Sequence, residues 1–416
     1  MQVFHYEDSE FFVEGVSLAE IAEAVGTPFY VYSQRHLTDQ LNAVEEALGD
    51  RPHLTCFALK ANNNPEVLRL FMQLGAGADV VSRGELGLAL NAGIPPEKIV
   101  FAGVGKRDDE MAFALEKGIL AFNVESEEEL EALNSVALEL GKQAPVNIRV
   151  NPNIDPQSHP YISTGMAKNK FGIAIEKSLA VFKKAAVLPG IALRGVHSHI
   201  GSQILSVAPF MESARSLRQL VLDLRKEKIV LDQIDIGGGL GVDYLQVIDR
   251  PPLEPVEVKQ PPTPAELFGA ILPELSDLNC RIIFEPGRFL TANAGALVTR
   301  VLFRKETSLK KFVIVDAGMN DLIRPSLYQA YHRIVPVRRA NDTPEKVDVV
   351  GPICESGDFF AKDRLLEPVK RGDLLAILSA GAYGYTLSSN YNGRPRVPEV
   401  LVNNTEFQVV REREEL

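Results

Sequence analysis

Apolar runs of strand length recur through the first 290 residues, near 54–59, 78–81, 99–102, 120–124, 146–150, 193–199, 233–236 and 281–284. Between them lie amphipathic stretches with the helical period, among them 65–74, 83–91, 108–117, 126–140, 175–186, 207–226 and 264–278. Eight strand–helix alternations over about 250 residues are the size and rhythm of a (β/α)8 TIM-like barrel. An open doubly wound sheet is the competing α/β arrangement, and the count of eight favours the closed one. Ahead of this rhythm, Ser17 is placed to cap a short helix carrying Leu18, Ile21 and Val25. Thr27-Pro28 breaks that helix, and Phe29-Tyr30-Val31-Tyr32 reads as a strand. After about residue 294 the helical period disappears. Segments 296–305, 311–316, 334–339, 346–350, 373–379, 398–403 and 406–411 read as strands. The expected organisation is a barrel over 36–294 and a mainly β second domain built discontinuously from 1–35 and 295–416.

Two long connections interrupt the barrel rhythm, 151–172 and the proline-rich 239–264. Loops of this length inside a compact domain are usually functional or mobile. Composition narrows the class. A net charge of -11 argues against a nucleic-acid footprint and gives no reason to expect an anionic membrane as partner. No apolar run of about 18 residues exists to span a bilayer. The N-terminal residues lack the basic and apolar regions of a signal peptide. Three widely spaced cysteines, Cys56, Cys280 and Cys354, form no disulfide framework and suit a reducing cytoplasm.

In a barrel, chemistry gathers at the C-terminal strand ends. Lys60 follows the first apolar run and Asp79 lies within the second. Arg149 is near the end of the fifth, and His197-Ser198-His199-Ile200-Gly201-Ser202 ends the sixth. Gly237-Gly238-Gly239-Leu240-Gly241 ends the seventh and Glu285-Pro286-Gly287-Arg288 the eighth. A lysine after an apolar run is either a wet strand end or an amine that forms a Schiff base. The glycines are either a tight turn or a nest of N–H groups for phosphate. They match neither the dinucleotide fingerprint nor a Walker A loop. His197 and His199 share one face of a strand, as a metal pair, a stacker on a flat ring, or a satisfied core histidine. Glu285 needs a partner, either an arginine or a pyridinium nitrogen. Together a lysine, a phosphate nest, a flat-ring stacker and a buried acid meet the needs of pyridoxal phosphate. In the second domain, Arg324-Pro325-Ser326-Leu327-Tyr328 offers a guanidinium to a carboxylate. Cys354 stands beside Glu355 as a proton donor or a small apolar residue, and Tyr383 sits in a glycine-flanked loop that reads as exposed.

Phe57-Ala58-Leu59-Lys60-Ala61-Asn62, His197 to Gln203, Glu285-Pro286-Gly287-Arg288, and His159 to Gly165 followed by Asn169-Lys170-Phe171-Gly172 carry a resemblance. The chain resembles the alanine-racemase-like barrel family of pyridoxal-phosphate decarboxylases, in its diaminopimelate-type branch. The resemblance runs from Gly26 to Asn392. It implies the cofactor pyridoxal 5'-phosphate, with Lys60 forming the imine, His199 stacking on the ring and Glu285 facing the ring nitrogen. Ser202, Gly239 and the backbone around Gly287 and Arg288 would hold the phosphate. Arg288, Arg324 and Tyr328 would grip the distal carboxylate of the substrate and Glu355 its distal amine. Cys354 would return a proton after carbon dioxide leaves. Tyr383, which touches both cofactor and substrate in this reading, would act with Cys354 and Glu355 across the interface of a homodimer. The implied reaction converts meso-2,6-diaminopimelate to L-lysine. A carboxynorspermidine-type or arginine/ornithine-type decarboxylase is the alternative, and Glu355 favours the diaminopimelate type. Ser198 and Ser326 depart from the family pattern without removing a proposed group.

Overall fold

Eight parallel strands close on themselves in the computed structural model, which describes residues 2–156, 165, 169–254, 260–340 and 342–415. They are His53–Ala58, Gly77–Val80, Ile99–Phe101, Ala121–Val124, Ala144–Asn151, Ile191–His197, Gln233–Asp235 and Arg281–Phe284. Each pairs with its successor, and the eighth returns to the first. The barrel and its helices form one compact unit, 41–241 with 261–289. Residues 242–260, which the sequence pattern leaves inside the barrel, pack instead with 1–40 and 290–416.

Period-two alternation explains the first strand. Leu54 and Cys56 meet Val100 and Ile283 from the third and eighth strands, and the first and third are not neighbours. Those side chains therefore fill the barrel interior. Thr55 and Phe57 face the other way, onto helices. Thr55 Oγ1 donates to Glu45, and the Phe57 ring lies 4.6 Å from that of Phe71 on helix Pro65–Gln73. The helices start where a short polar side chain can accept an otherwise orphaned N–H. Asn64, Ser82 and Ser126 each cap in this way, and Thr263 forms a full capping box with Glu266.

The second unit is organised on one long strand, Gly295–Glu306. Its first half pairs antiparallel with Phe29–Ser33 and with Leu374–Ile377, and its second half with Lys311–Val315. Phe29–Ser33 also pairs in parallel with Glu399–Asn403. Phe29 and Val31 join one apolar cluster, Tyr30 and Tyr32 another. The strand is thus buried on both faces, which is why Phe29–Tyr32 carries large ring and aliphatic side chains throughout rather than alternating with exposed polar ones. The N-terminal lead is more than an extended arm. Phe4–Glu7, Glu10–Val13 and Val16–Ser17 make a small antiparallel sheet. Strand Phe359–Leu366 was also unmarked in the sequence, because Lys362-Asp363-Arg364 and two register shifts break its alternation.

Phe57 and Phe71 are both fully buried. Phe57→Ala is expected to destabilise the barrel by about 3–5 kcal/mol through the void it leaves. A lowered calorimetric unfolding midpoint checks this.

Candidate functional site

The strand ends of the barrel bring the first set of expected residues together. Lys60 stands two residues beyond the first strand, and its Nζ lies 3.0 Å from Asp79 Oδ2 on the second. Asp79 is wholly buried and its other oxygen has no hydrogen-bond partner among the described residues. Burial pushes its carboxyl above the ordinary range, and the Lys60 charge and hydrogen bond pull it partly back. Lys60 is therefore not a strand end dangling in water. Its amine is drawn inward by a carboxylate from the neighbouring strand.

His199, just past the sixth strand, accepts a hydrogen bond at Nδ1 from the Gly238 amide, 3.1 Å away. An acceptor nitrogen keeps its lone pair, so the ring is neutral with its proton on Nε2. Burial, then the nearby Lys60 and Arg149, hold its pKa well below the usual value. Gly238 has to be glycine, since a Cβ there would lie 2.1 Å from the Glu285 carbonyl oxygen. The adjacent Gly237 amide donates to Asp235 Oδ1 at 2.9 Å. Two N–H groups of the glycine turn are thus spent on site side chains rather than left as an open nest for phosphate.

Inside the barrel a chain of amides leads to two acids. Gln233 donates to Asn147 at 2.6 Å, Asn147 to Asn123 at 2.9 Å, and Asn123 Nδ2 reaches Glu285 Oε1 at 3.0 Å and Asp235 Oδ2 at 3.2 Å. His197 Nε2 lies 3.2 Å from Glu285 Oε2, out of line for a hydrogen bond. His197, Asp235 and Glu285 bring their ligating atoms within 4.8 Å of one another. The Asn123 N–H group aimed at both acids suits a shared proton, not a cation that needs those lone pairs. Two buried carboxylates this close do not both ionise. Burial and the Glu285 charge push Asp235 well above the carboxylate range. Burial also works against the Glu285 anion, but His197 and Lys60 outweigh it and Glu285 is held low. Glu285 is the ionised member.

Arg288, buried after the eighth strand, directs Nε and Nη2 to Ser202 Oγ at 3.2 and 3.1 Å. Gly287 and Gly239 belong to the same strand ends. A guanidinium with a hydroxyl, a neutral imidazole, an amine and an ionised buried acid form a donor set that fits an aldehyde bearing a phosphate and a basic ring nitrogen. Residues 159–164 of the expected motif lie outside the described residues.

The β unit holds the other expected residues. Arg324 opens the short helix Arg324–Tyr328, is buried, and has no carboxylate within ion-pair distance among the described residues. Tyr328 is half-buried on the same helix. Ser326 Oγ donates to the Gly357 carbonyl, tying this helix to the loop that carries Cys354 and Glu355. That loop is anchored by buried Asp358, which accepts from the amides of Ile353 at 2.6 Å and Met319 at 2.7 Å. Cys354 and Glu355 are exposed, and Glu355 Oε2 accepts from the Tyr391 hydroxyl at 3.0 Å. Tyr383 is half-buried rather than exposed, with a left-handed backbone at φ 56°.

The acid Asp235 and its partner Asn123 were missed by motif reading, as was His332 beside Arg324. Asp235 left a signal of the same kind as Lys60, a charged residue inside the apolar run Ile234-Asp235-Ile236.

Residues 34–292 match the family described as pyridoxal-dependent decarboxylase, pyridoxal binding domain. The diaminopimelate decarboxylase of Pseudomonas aeruginosa is 51% identical over 100% of this chain and 97% of its own length. That of Aquifex aeolicus is 49% identical over 98% and 94%. The crystal structure of the Helicobacter pylori diaminopimelate decarboxylase complexed with L-lysine superposes with a TM-score of 0.89 at 42% identity, covering 95% of this chain and 96% of that one.

Asp235 holds its proton more tightly in the folded chain than in the unfolded one. It therefore costs stability as pH climbs from the ordinary carboxylate range toward its folded pKa, about 1.4 kcal/mol for each unit of upward shift. Asp235→Asn keeps a donor toward Glu285 and removes this cost. The melting temperature of the cofactor-free variant, relative to that of the unaltered chain, should rise as pH climbs above the ordinary carboxylate range.

Proposed function

The chain belongs to the pyridoxal-dependent decarboxylases, and we propose that it removes one carboxyl group from meso-2,6-diaminopimelate to give L-lysine and carbon dioxide. The observation that carries this reading is the convergence of Lys60, His199, Glu285 and Arg288 on the strand ends of one barrel, with Lys60 paired to Asp79.

Pyridoxal phosphate, when bound, supplies an aldehyde for the substrate amine and an electron-accepting ring for the carbanion left by decarboxylation. The chain's own residues do the rest. Lys60 supplies the amine that holds the aldehyde, and Asp79 positions it and takes up its charge. His199, neutral and fixed by the Gly238 amide, offers a flat face to the ring without placing a second cation beside it. Glu285, kept ionised by the proton on Asp235, favours a protonated ring nitrogen. Ser202, Gly239 and the backbone around Gly287 and Arg288 receive the phosphate. Arg324 and Tyr328 take the distal carboxylate together with Arg288, and Glu355 the distal amine. Cys354 delivers the proton that completes the product, an exposed thiol being free to do so. Cys354, Glu355 and Tyr383 serve the site of a second copy in a two-fold homodimer. The protein works in the cytoplasm, and no described helix is long and apolar enough to cross a membrane.

Purified with pyridoxal phosphate, the protein should show the absorbance of a protein-bound imine. Lys60→Ala should lose that band and reduce carbon dioxide release from meso-diaminopimelate on the order of a thousandfold. Faster release from ornithine, arginine or carboxynorspermidine than from meso-diaminopimelate would falsify the substrate assignment. A monomer by sedimentation at working concentration would remove the shared-site arrangement.

A further inference from the structure

Among the buried arginines, Arg149 is held by the Glu125 carboxylate at 2.6 Å, Arg288 reaches the Ser202 hydroxyl, and Arg333 donates to the backbone carbonyls of Leu245, Arg250 and Pro251. Arg324 is held differently. Its Nη1 lies 3.0 Å from His332 Nε2, and His332 Nδ1 lies 2.9 Å from the Leu378 carbonyl oxygen. A carbonyl only accepts and a guanidinium only donates. Both bonds form together only if His332 is neutral, with its proton on Nδ1 and its Nε2 lone pair facing Arg324. The Leu378 carbonyl is itself fixed, since the Leu378 amide donates to Arg333 O at 2.8 Å where Ile334–Pro336 pairs with Leu374–Ile377. Tyr244 completes the mount. Its face lies 5.2 Å from the guanidinium carbon, and its ring meets His332 edge-on at 5.5 Å and 85°.

Every group in this mount orients the guanidinium and none neutralises it. A carboxylate in place of His332 would orient it equally well and cancel its charge. What the mount leaves over is a buried, aimed, uncompensated positive charge, which calls for an anionic ligand. We infer that His332 is a positioning residue that aims Arg324 at the distal carboxylate while preserving its charge, and so sets the preference for ligands bearing that carboxylate. This rests on the reading above that Arg324 receives the distal carboxylate.

L-Lysine and 1,5-diaminopentane, which is lysine without its carboxylate, separate this role from a structural one. His332→Leu should raise both the KM for meso-diaminopimelate and the inhibition constant of L-lysine by about tenfold to a hundredfold, the value of a hydrogen bond to a charged group. Inhibition by 1,5-diaminopentane and the bound-cofactor absorbance should not change. His332→Gln, whose amide oxygen accepts from Arg324, should recover most of the lost affinity, whereas His332→Glu should not. Equal weakening of lysine and diaminopentane, or equal behaviour of the Gln and Glu variants, overturns the inference. Arg324→Gln serves as the reference. If it leaves the lysine-to-diaminopentane ratio unchanged, the carboxylate reading of Arg324 falls and the inference with it. If it collapses the ratio and His332→Leu does not, the positioning role alone falls.

Discussion

Asp235 and Glu285 share one interior, and only one of them can carry a charge. Much of the barrel rim follows from that constraint. Asn123 bridges the two acids and is held through Asn147 by Gln233, so amides from the fourth, fifth and seventh strands are committed to the pair. The Gly237 amide steadies Asp235, and the next amide along steadies His199. The same close-packed turn thus governs the acid and the imidazole, and neither can shift alone. A barrel interior made only of aliphatic side chains would be easier to bury. This one spends interior volume on a polar network whose output is a single fixed negative charge at Glu285.

Histidine is used twice in one way. His199 and His332 each accept a hydrogen bond at one ring nitrogen, from a backbone amide in one case and from a guanidinium in the other. Both are thereby held neutral, and both orient without adding charge. Other arginines are held by ion pairs, as Arg411 is with Glu399, or by backbone carbonyls, as Arg333 is. Beside Arg324, an imidazole in place of a carboxylate leaves the cation available to a ligand.

The fold was legible because alternation and helical period are local properties. The eight barrel strands and the helices between them fall close to where the pattern puts them. What was missed is non-local or irregular. The small N-terminal sheet has strands of four, four and two residues, too short to show a period. The place of 242–260 depends on contacts with residues far along the chain, such as Arg333 donating to the carbonyls of Leu245, Arg250 and Pro251. At the site, Lys60, His199 and Glu285 stood out because charged or polar groups interrupt apolar runs. Asp235 met the same criterion but was overshadowed by the glycines beside it. His332 carried no such mark, because its importance comes from a lone pair directed by the carbonyl of Leu378, 46 positions away.

The strand Phe29–Ser33 has a temporal consequence. Its partners are Gly295–Glu306 and Glu399–Asn403, so it leaves the ribosome long before either exists. The barrel strands are all present once Phe284 has been made, whereas this wholly buried, aromatic-rich segment must wait for the last part of the chain. At cellular synthesis rates that interval is roughly tens of seconds. During it, an unpaired strand with two sticky faces is available to any other edge it meets. The order of elements along the chain therefore leaves this strand without its partners while the barrel is being synthesised. Such a chain stands to benefit from a holding chaperone early in synthesis more than from a folding catalyst late.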